Sequence, residues 1–299
     1  MNYKHIYHVG NFADVIKHIL LIAVIKKMRD KPKGFVVLDA FSGSGIYNLN
    51  SKESVLSTES EAGIKLLLNN DIETEKQHLL QSYINVIKQY YYNTDNTYTL
   101  FDSNNDKTSN SLYPGSPAIA SHFVRKQDKI ICIEKNKNEF LLLKNNISYL
   151  KSVPTIITQH QLHNRDGYEA IAALFPFNNL RCFILIDPPF EVTNEFEKII
   201  QIFKIIKYRS VTTPVMTWYP IKNRSIIKQF YEQYNNIRYP ETLFVEFKLH
   251  IPHKSTGLQE CGVMISSPPD IYSEIESTLK FLCNIIDAWS YKCWISSGK

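Results

Sequence analysis

The chain has 299 residues, 44% hydrophobic and 21% charged, enough to build one large domain with an insertion or a domain with a small satellite. Lys and Arg (34) exceed Asp and Glu (29), and the net charge of +5 permits a polyanionic partner without requiring one. No apolar run approaches the ~20 residues that span a bilayer, no signal-peptide core opens the chain, and the five cysteines form no CxxC pair; a cytoplasmic protein with free thiols, no membrane contact and no metal is expected.

Residues 2–11 place Tyr3, Lys4, His5, Tyr7 and His8 ahead of a helix predicted over 12–28, with Asn11 as its N-cap. Val15, Ile16, Ile19, Leu20, Ala23 and Val24 supply its apolar spacing. A buried strand over 35–38 ends in Asp39, and Phe41-Ser42-Gly43-Ser44-Gly45 follows. The stretch 48–112 reads as a small helical insertion, with helices over 59–69 and 73–91, a mobile polar loop over 93–111 and no buried strand. Tyr113-Pro114-Gly115-Ser116-Pro117 makes a turn, Ser116 serving as N-cap of a helix that runs to Phe123.

Regular alternation follows. Strands are predicted over 130–133 (ending in Glu134), 155–158, 183–186 and 211–218, with helices over 137–150, 167–174, 194–207 and 222–234. Segments 242–250 and 260–266 pair antiparallel, and a helix over 271–287 precedes a short final β run. The fold class is therefore α/β: a Rossmann-like, mostly parallel sheet with a late antiparallel strand and helices on both faces. The main domain comprises 1–47 and 113–299.

The strand over 183–186 stops at Asp187-Pro188-Pro189-Phe190 because proline cannot donate to a ladder and disfavours helix before it. An acid, a stiff corner and a flat ring at the carboxyl end of a strand suit methylation of an exocyclic amine. Asp187 and the Pro188 carbonyl would each accept one N–H, and Phe190 would stack on the base. Upstream, the Asp39, Gly43 and Gly45 turn, Glu134 and the Asp166-Gly167 pair fall at or after carboxyl ends of strands. There they could hold the methionine portion, the ribose and the adenine of S-adenosylmethionine. Each also has a plainer reading: an ordinary turn, a solvated strand end, a helix N-cap. It is their order upstream of Asp187 that points to a methyltransferase fold.

With those residues in place, the chain resembles the bacterial 23S ribosomal RNA adenine-N6-methyltransferases of the RlmJ (YhiR) family. Its most specific element is Tyr3-Lys4-His5…His8-x-Gly10-Asn11-x-Ala13-Asp14-Val15-x-Lys17-His18, supported by Leu38-Asp39…Gly43-x-Gly45, Tyr113-Pro114-Gly115-Ser116-Pro117, Asp187-Pro188-Pro189 and Trp218-Tyr219-Pro220. The resemblance implies N6-methylation of one adenine in 23S rRNA, adenine 2030 in conventional numbering; a monomer is expected, although the sequence itself does not fix the oligomeric state. The resemblance makes His18 and Ser116 cofactor contacts with Glu134 and Asp166-Gly167, and Asp187 both catalytic and near the cofactor. Tyr3, with Lys4 beside it, falls in an RNA-contacting tail (1–11), and Lys17 stands near the same site. Phe41 replaces a usual His, Phe190 replaces a usual Tyr, and the loop over 93–110 is longer than the family's.

Rivals are a DNA adenine methyltransferase using the same corner and a non-catalytic RNA-binding protein with a vestigial fold. A nicotinamide dehydrogenase would need the full Gly-x-Gly-x-x-Gly pattern, which is lacking. His5, His8 and His18 have no usual metal-ligand spacing, and Pro268-Pro269 follows serines instead of an acid.

Overall fold

The computed structural model describes residues 5–70, 77–92, 111–153, 155–156, 158–177, 180–250 and 258–298. Tyr3, Lys4 and the loop over 93–110 lie outside them.

A 3-10 turn (His5–Tyr7) opens the described chain and leads to α1 (Phe12–Arg29), β1 (Phe35–Asp39) and β2 (Ile46–Asn48). The stretch expected to be an insertion follows, with α2 (Lys52–Ser57), a 3-10 turn (Glu59–Ala62), α3 (Ile64–Asn69) and α4 (His78–Tyr91). Next come β3 (Leu112–Pro114), α5 (Ser116–Phe123), β4 (Lys129–Ile133), α6 (Lys137–Leu150), β5 (Gln159–His163) and α7 (Gly167–Leu174). The chain continues through β6 (Arg181–Ile186), α8 (Glu195–Arg209), β7 (Val215–Pro220) and α9 (Arg224–Asn235). It closes with β8 (Glu241–Leu249), β9 (Glu260–Ser266), α10 (Tyr272–Ile285) and β10 (Trp289–Ser297).

Eight strands form one sheet in the order β5-β4-β1-β6-β7-β9-β8-β10. Strands β5 to β7 in that order run parallel; β9 is antiparallel to both β7 and β8, and β10 adds a third antiparallel pairing at the edge. Sequence order runs outward from β1 to β5 on one side and from β6 to β7 on the other. The reversal point, where open α/β sheets bind ligands beyond the strand ends, therefore lies between β1 and β6. Asp39 pairs with Leu185 across that boundary, which sets the Asp39 and Asp187 corners side by side.

The two faces of the sheet follow from the period of 2. Phe35, Val37, Ile130, Cys132, Phe183 and Leu185 pack on one side with α1, α4, α5, α6 and α10. Their neighbours Val36, Leu38, Ile131, Ile133, Ile184 and Ile186 pack on the other with α7, α8 and α9. Helix α1 has fifteen of its 18 residues buried, not one apolar stripe, because α4 and α10 cover the side that an amphipathic helix would show to water.

Several expected elements need correction. The strand expected over 155–158 lies at Gln159–His163: as the edge of the sheet it needs only backbone pairing with β4, so its polar side chains hid it. The strand expected over 211–218 begins at Val215, after Pro214, which has no N–H to give. The helix expected over 59–69 breaks at Gly63. The stretch 48–112, expected to hold no buried strand, ends in one: β3 begins at Leu112, is buried throughout and pairs antiparallel with β2, and α2 is a further helix of that stretch. Ser116 is not the N-cap of α5; Gly115 is, since the Ser116 hydroxyl donates to Asp39 instead.

Candidate active site

Two cavities open at the reversal point. The larger, about 170 Å³, is lined by Phe41, Ser42, Gly43, Ser116, Glu134, Asp166 and Tyr168 among others, and the smaller, about 120 Å³, by His8, Asn11, Asp14, Phe190, Trp218 and Pro220 among others. They share four wall residues: His5, Lys17, Asp187 and Pro189. A groove of about 660 Å³ at the opposite end of the sheet, beside Met28, Arg181 and Pro268, faces the amino ends of β1 and β6, away from the acids that end the strands.

The larger cavity is built from strand ends. The Glu134 carboxylate, after β4, accepts from the Gly43 N–H at 3.0 Å and the Asn136 N–H at 2.6 Å, and burial raises its pKa. Gly43 has φ 57°, and a Cβ there would stand 2.1 Å from the Tyr47 hydroxyl, so the turn requires glycine. Asp166 caps α7, its Oδ1 accepting from Tyr168 and Glu169 N–H, while Lys135 reaches Oδ2 at 3.1 Å. These contacts outweigh its partial burial and lower its pKa. Phe41 lies edge-on to Tyr168 at 5.1 Å, an aromatic pair on the cavity wall. His18, fully buried, shares a hydrogen bond with the Tyr113 hydroxyl at 2.9 Å, and burial lowers its pKa to about 3.

Asp39, Gly45 and Gly167 stand just behind this wall. Asp39 accepts from the Ser116 hydroxyl at 2.6 Å, and burial lifts its pKa to about 6. Gly45 gives its carbonyl to Gly115 N–H and packs against Leu143. A Cβ on Gly167 would meet the Ala40 carbonyl oxygen at 2.2 Å, so glycine there lets α7 close on the end of β1.

At the shared wall, Lys17 Nζ donates to Asp187 Oδ2 at 2.5 Å and to Asp14 Oδ1 at 2.6 Å. Burial pulls the lysine pKa down, but the two carboxylates overcome it and hold the ammonium protonated. Asp14 is fully buried, yet Lys17 and His5 (Nε2 at 3.3 Å) drive its pKa well below the carboxylate norm. Pro188 is buried and Asp187 half-buried, as the corner requires. Phe190 takes φ 49°, a left-handed conformation that strains a non-glycine residue by about 1–3 kcal/mol, with its ring edge-on to Phe196 and Trp218. The three histidines go to separate partners: His5 to Asp14, His8 to Glu59 and His18 to Tyr113.

Sequence reasoning missed Asp14, Asn11, Glu59 and Tyr113 as members of this network. A helix cap with an acid and a lysine three residues on was the only local signal for any of them.

A family model described as "Ribosomal RNA large subunit methyltransferase D, RlmJ" matches residues 32–293. The chain is 27% identical to the ribosomal RNA large subunit methyltransferase J of Haemophilus influenzae over 283 residues, covering 94% of this chain and 92% of that one. It is 27% identical to the protein of the same name from Escherichia coli, covering 90% and 88%. The solved structure of protein LPL1258 from Legionella pneumophila is 30% identical, with a TM-score of 0.77 over 98% of this chain and 99% of that one.

Proposed function

Since the chain belongs to the RlmJ family of ribosomal RNA large subunit methyltransferases, we propose that it transfers a methyl group from S-adenosylmethionine to N6 of an adenine in 23S rRNA, adenine 2030 in conventional numbering. The observation that carries this reading is the shared wall: a donor cavity and an acceptor cavity meet at Lys17, Asp187, His5 and Pro189.

The larger cavity fits the donor. Glu134 offers a half-buried carboxylate to the two ribose hydroxyls, Asp166 with the Gly167 turn serves the adenine, and the glycine at 43 keeps the backbone open beside the methionine portion. His18 and Ser116 complete that wall, with Asp39 orienting the turn through Ser116. S-adenosylmethionine supplies a methyl group activated by its sulfonium.

The protein's own residues handle the acceptor. An exocyclic amine is a poor nucleophile while its lone pair is delocalised into the ring. Asp187 accepts one of its N–H groups and the Pro188 carbonyl the other, which draws the nitrogen toward tetrahedral geometry and compensates the charge that builds on it. Lys17 holds one Asp187 oxygen and leaves the second for the substrate. The proton departs from the nitrogen after attack, once the amine has become acidic, so no strong base is needed. Phe190 and Trp218 offer flat faces to a base extruded from its stack, each such contact contributing about 1–3 kcal/mol. By the family resemblance, Tyr3 and Lys4 would contact the RNA.

Labelled methyl transfer to unmodified 23S RNA and to matched DNA, with the product nucleotide identified, tests the proposal. The expected product is N6-methyladenosine in RNA alone; preferential labelling of DNA, or of another base, would overturn it.

A further inference from the structure

Glu59 opens the 3-10 turn of the insertion, is 4% exposed and lines neither cavity. A buried carboxylate is destabilising unless partners compensate it, and an apolar residue would fill the same space without that penalty. Among the described residues, the partners of its carboxylate lie on the segment leading into α1. Oε1 pairs with His8 Nδ1 at 3.0 Å, and Oε2 accepts from Asn11 Nδ2 at 2.9 Å.

The contact continues inward. Asn11 Oδ1 accepts from Asp14 N–H at 2.9 Å, fixing the start of α1. Asp14 accepts from Gly10 N–H at 2.9 Å and from Lys17 at 2.6 Å, and Lys17 reaches Asp187 at 2.5 Å. The backbones touch as closely: Ile64 N–H donates to the Gly10 carbonyl at 2.8 Å, and a Cβ on Gly63 would stand 2.1 Å from that same oxygen. The insertion thus grips the turn from which the Asp14–Lys17–Asp187 chain starts.

We propose that Glu59 is a positioning residue for methyl transfer: through Asn11, Asp14 and Lys17 it sets where Asp187 stands between the two cavities, and through His8 it fixes the amino-terminal segment on the rim of the acceptor cavity. This assignment rests on reading Asp187 as the amine acceptor. It gives the insertion a part in the reaction, although Glu59 lies 128 positions from Asp187 in the chain (187 minus 59) and touches neither substrate.

The test uses the full chain with Glu59→Ala, Glu59→Gln and, as a control on the same turn, Glu61→Ala. Hydrogen exchange of residues 5–16 without ligand should quicken by at least about tenfold in Glu59→Ala, because the local opening loses its anchor. Single-turnover transfer at saturating RNA should fall by at least about tenfold, while the Kd for S-adenosylmethionine stays within about twofold. Glu59→Gln keeps an acceptor for Asn11 and should fall between, and Glu61→Ala should match wild type.

Unchanged exchange over residues 5–16, or a transfer rate within about twofold of wild type, overturns the proposal. So does faster exchange spread over β1 and β6 in both Glu59 variants, which marks a general structural role. Should Glu59→Ala fail to fold, Glu59→Gln carries the same readouts. If the wild-type protein methylates no RNA, the substrate reading fails by itself, and the exchange data still decide whether Glu59 anchors the segment.

Discussion

Asp187 serves two partners at once, a protonated lysine on one oxygen and, in the proposed reaction, the target amine on the other. Replacing it with Asn keeps the shape and removes the charge, and Lys17 retains Asp14. Asp187→Asn should therefore slow transfer by about 10²–10³-fold with little change in Tm, and a folded variant with near-normal turnover would exclude the role. His18 gives a separate expectation. Its folded pKa of about 3 lies below the ordinary 6.5, so the unfolded chain binds a proton that the folded one refuses between those values. The stability this contributes is complete above pH 6.5 and declines as pH falls, by up to about 1.4 kcal/mol per unit. Denaturant unfolding at pH 7.5, 6 and 5 should show a shallower acid decline for His18→Gln than for wild type; parallel profiles would refute it. Residues such as Glu134 and Asp187 were legible because a strand period and a proline mark where they stand. Glu59 was not, because His8 and Asn11 lie about 50 residues away and leave no spacing to read; Asp14 pairs locally with Lys17, but the step from Lys17 to Asp187 spans 170 residues.

Elements were legible in proportion to how much of their stability is written in side chains. Helix α6 and strand β9 came out residue for residue as expected, their patterns uninterrupted. Edge strand β5 did not, since its place depends on ladder bonds to β4 that any sequence can make. Ser116 had the right chemistry for a cap but was drawn to a stronger acceptor, the Asp39 carboxylate. The approach of α7 to β1 carries a prediction of its own. Gly167→Ala would press a methyl group onto the Ala40 carbonyl, costing about 1–3 kcal/mol. The same shift moves Phe41 and Asp166, so calorimetry should find weaker S-adenosylmethionine binding together with a lower Tm. An unaltered affinity would detach that contact from the donor cavity.

For the whole molecule, the charge of +5 is modest beside a polyanionic substrate, and in the proposed reaction base stacking would share the work of binding. The KM for RNA should still rise by at least about tenfold between 50 and 200 mM KCl, while the Kd for S-adenosylmethionine moves little. A salt-independent KM would argue against phosphate contacts. The burial of α1 on every side has a consequence for how the chain is made. This apolar helix is translated before α4, α5 and α10, the elements that enclose it, and the last of these lies near the far end of the sequence. Until α10 is synthesised, the side of α1 that it covers stays exposed in a nascent chain, and apolar surface of that kind is prone to misassociation. The helix that carries Lys17 to the candidate site is thus the part of the sheet's cover that is closed last.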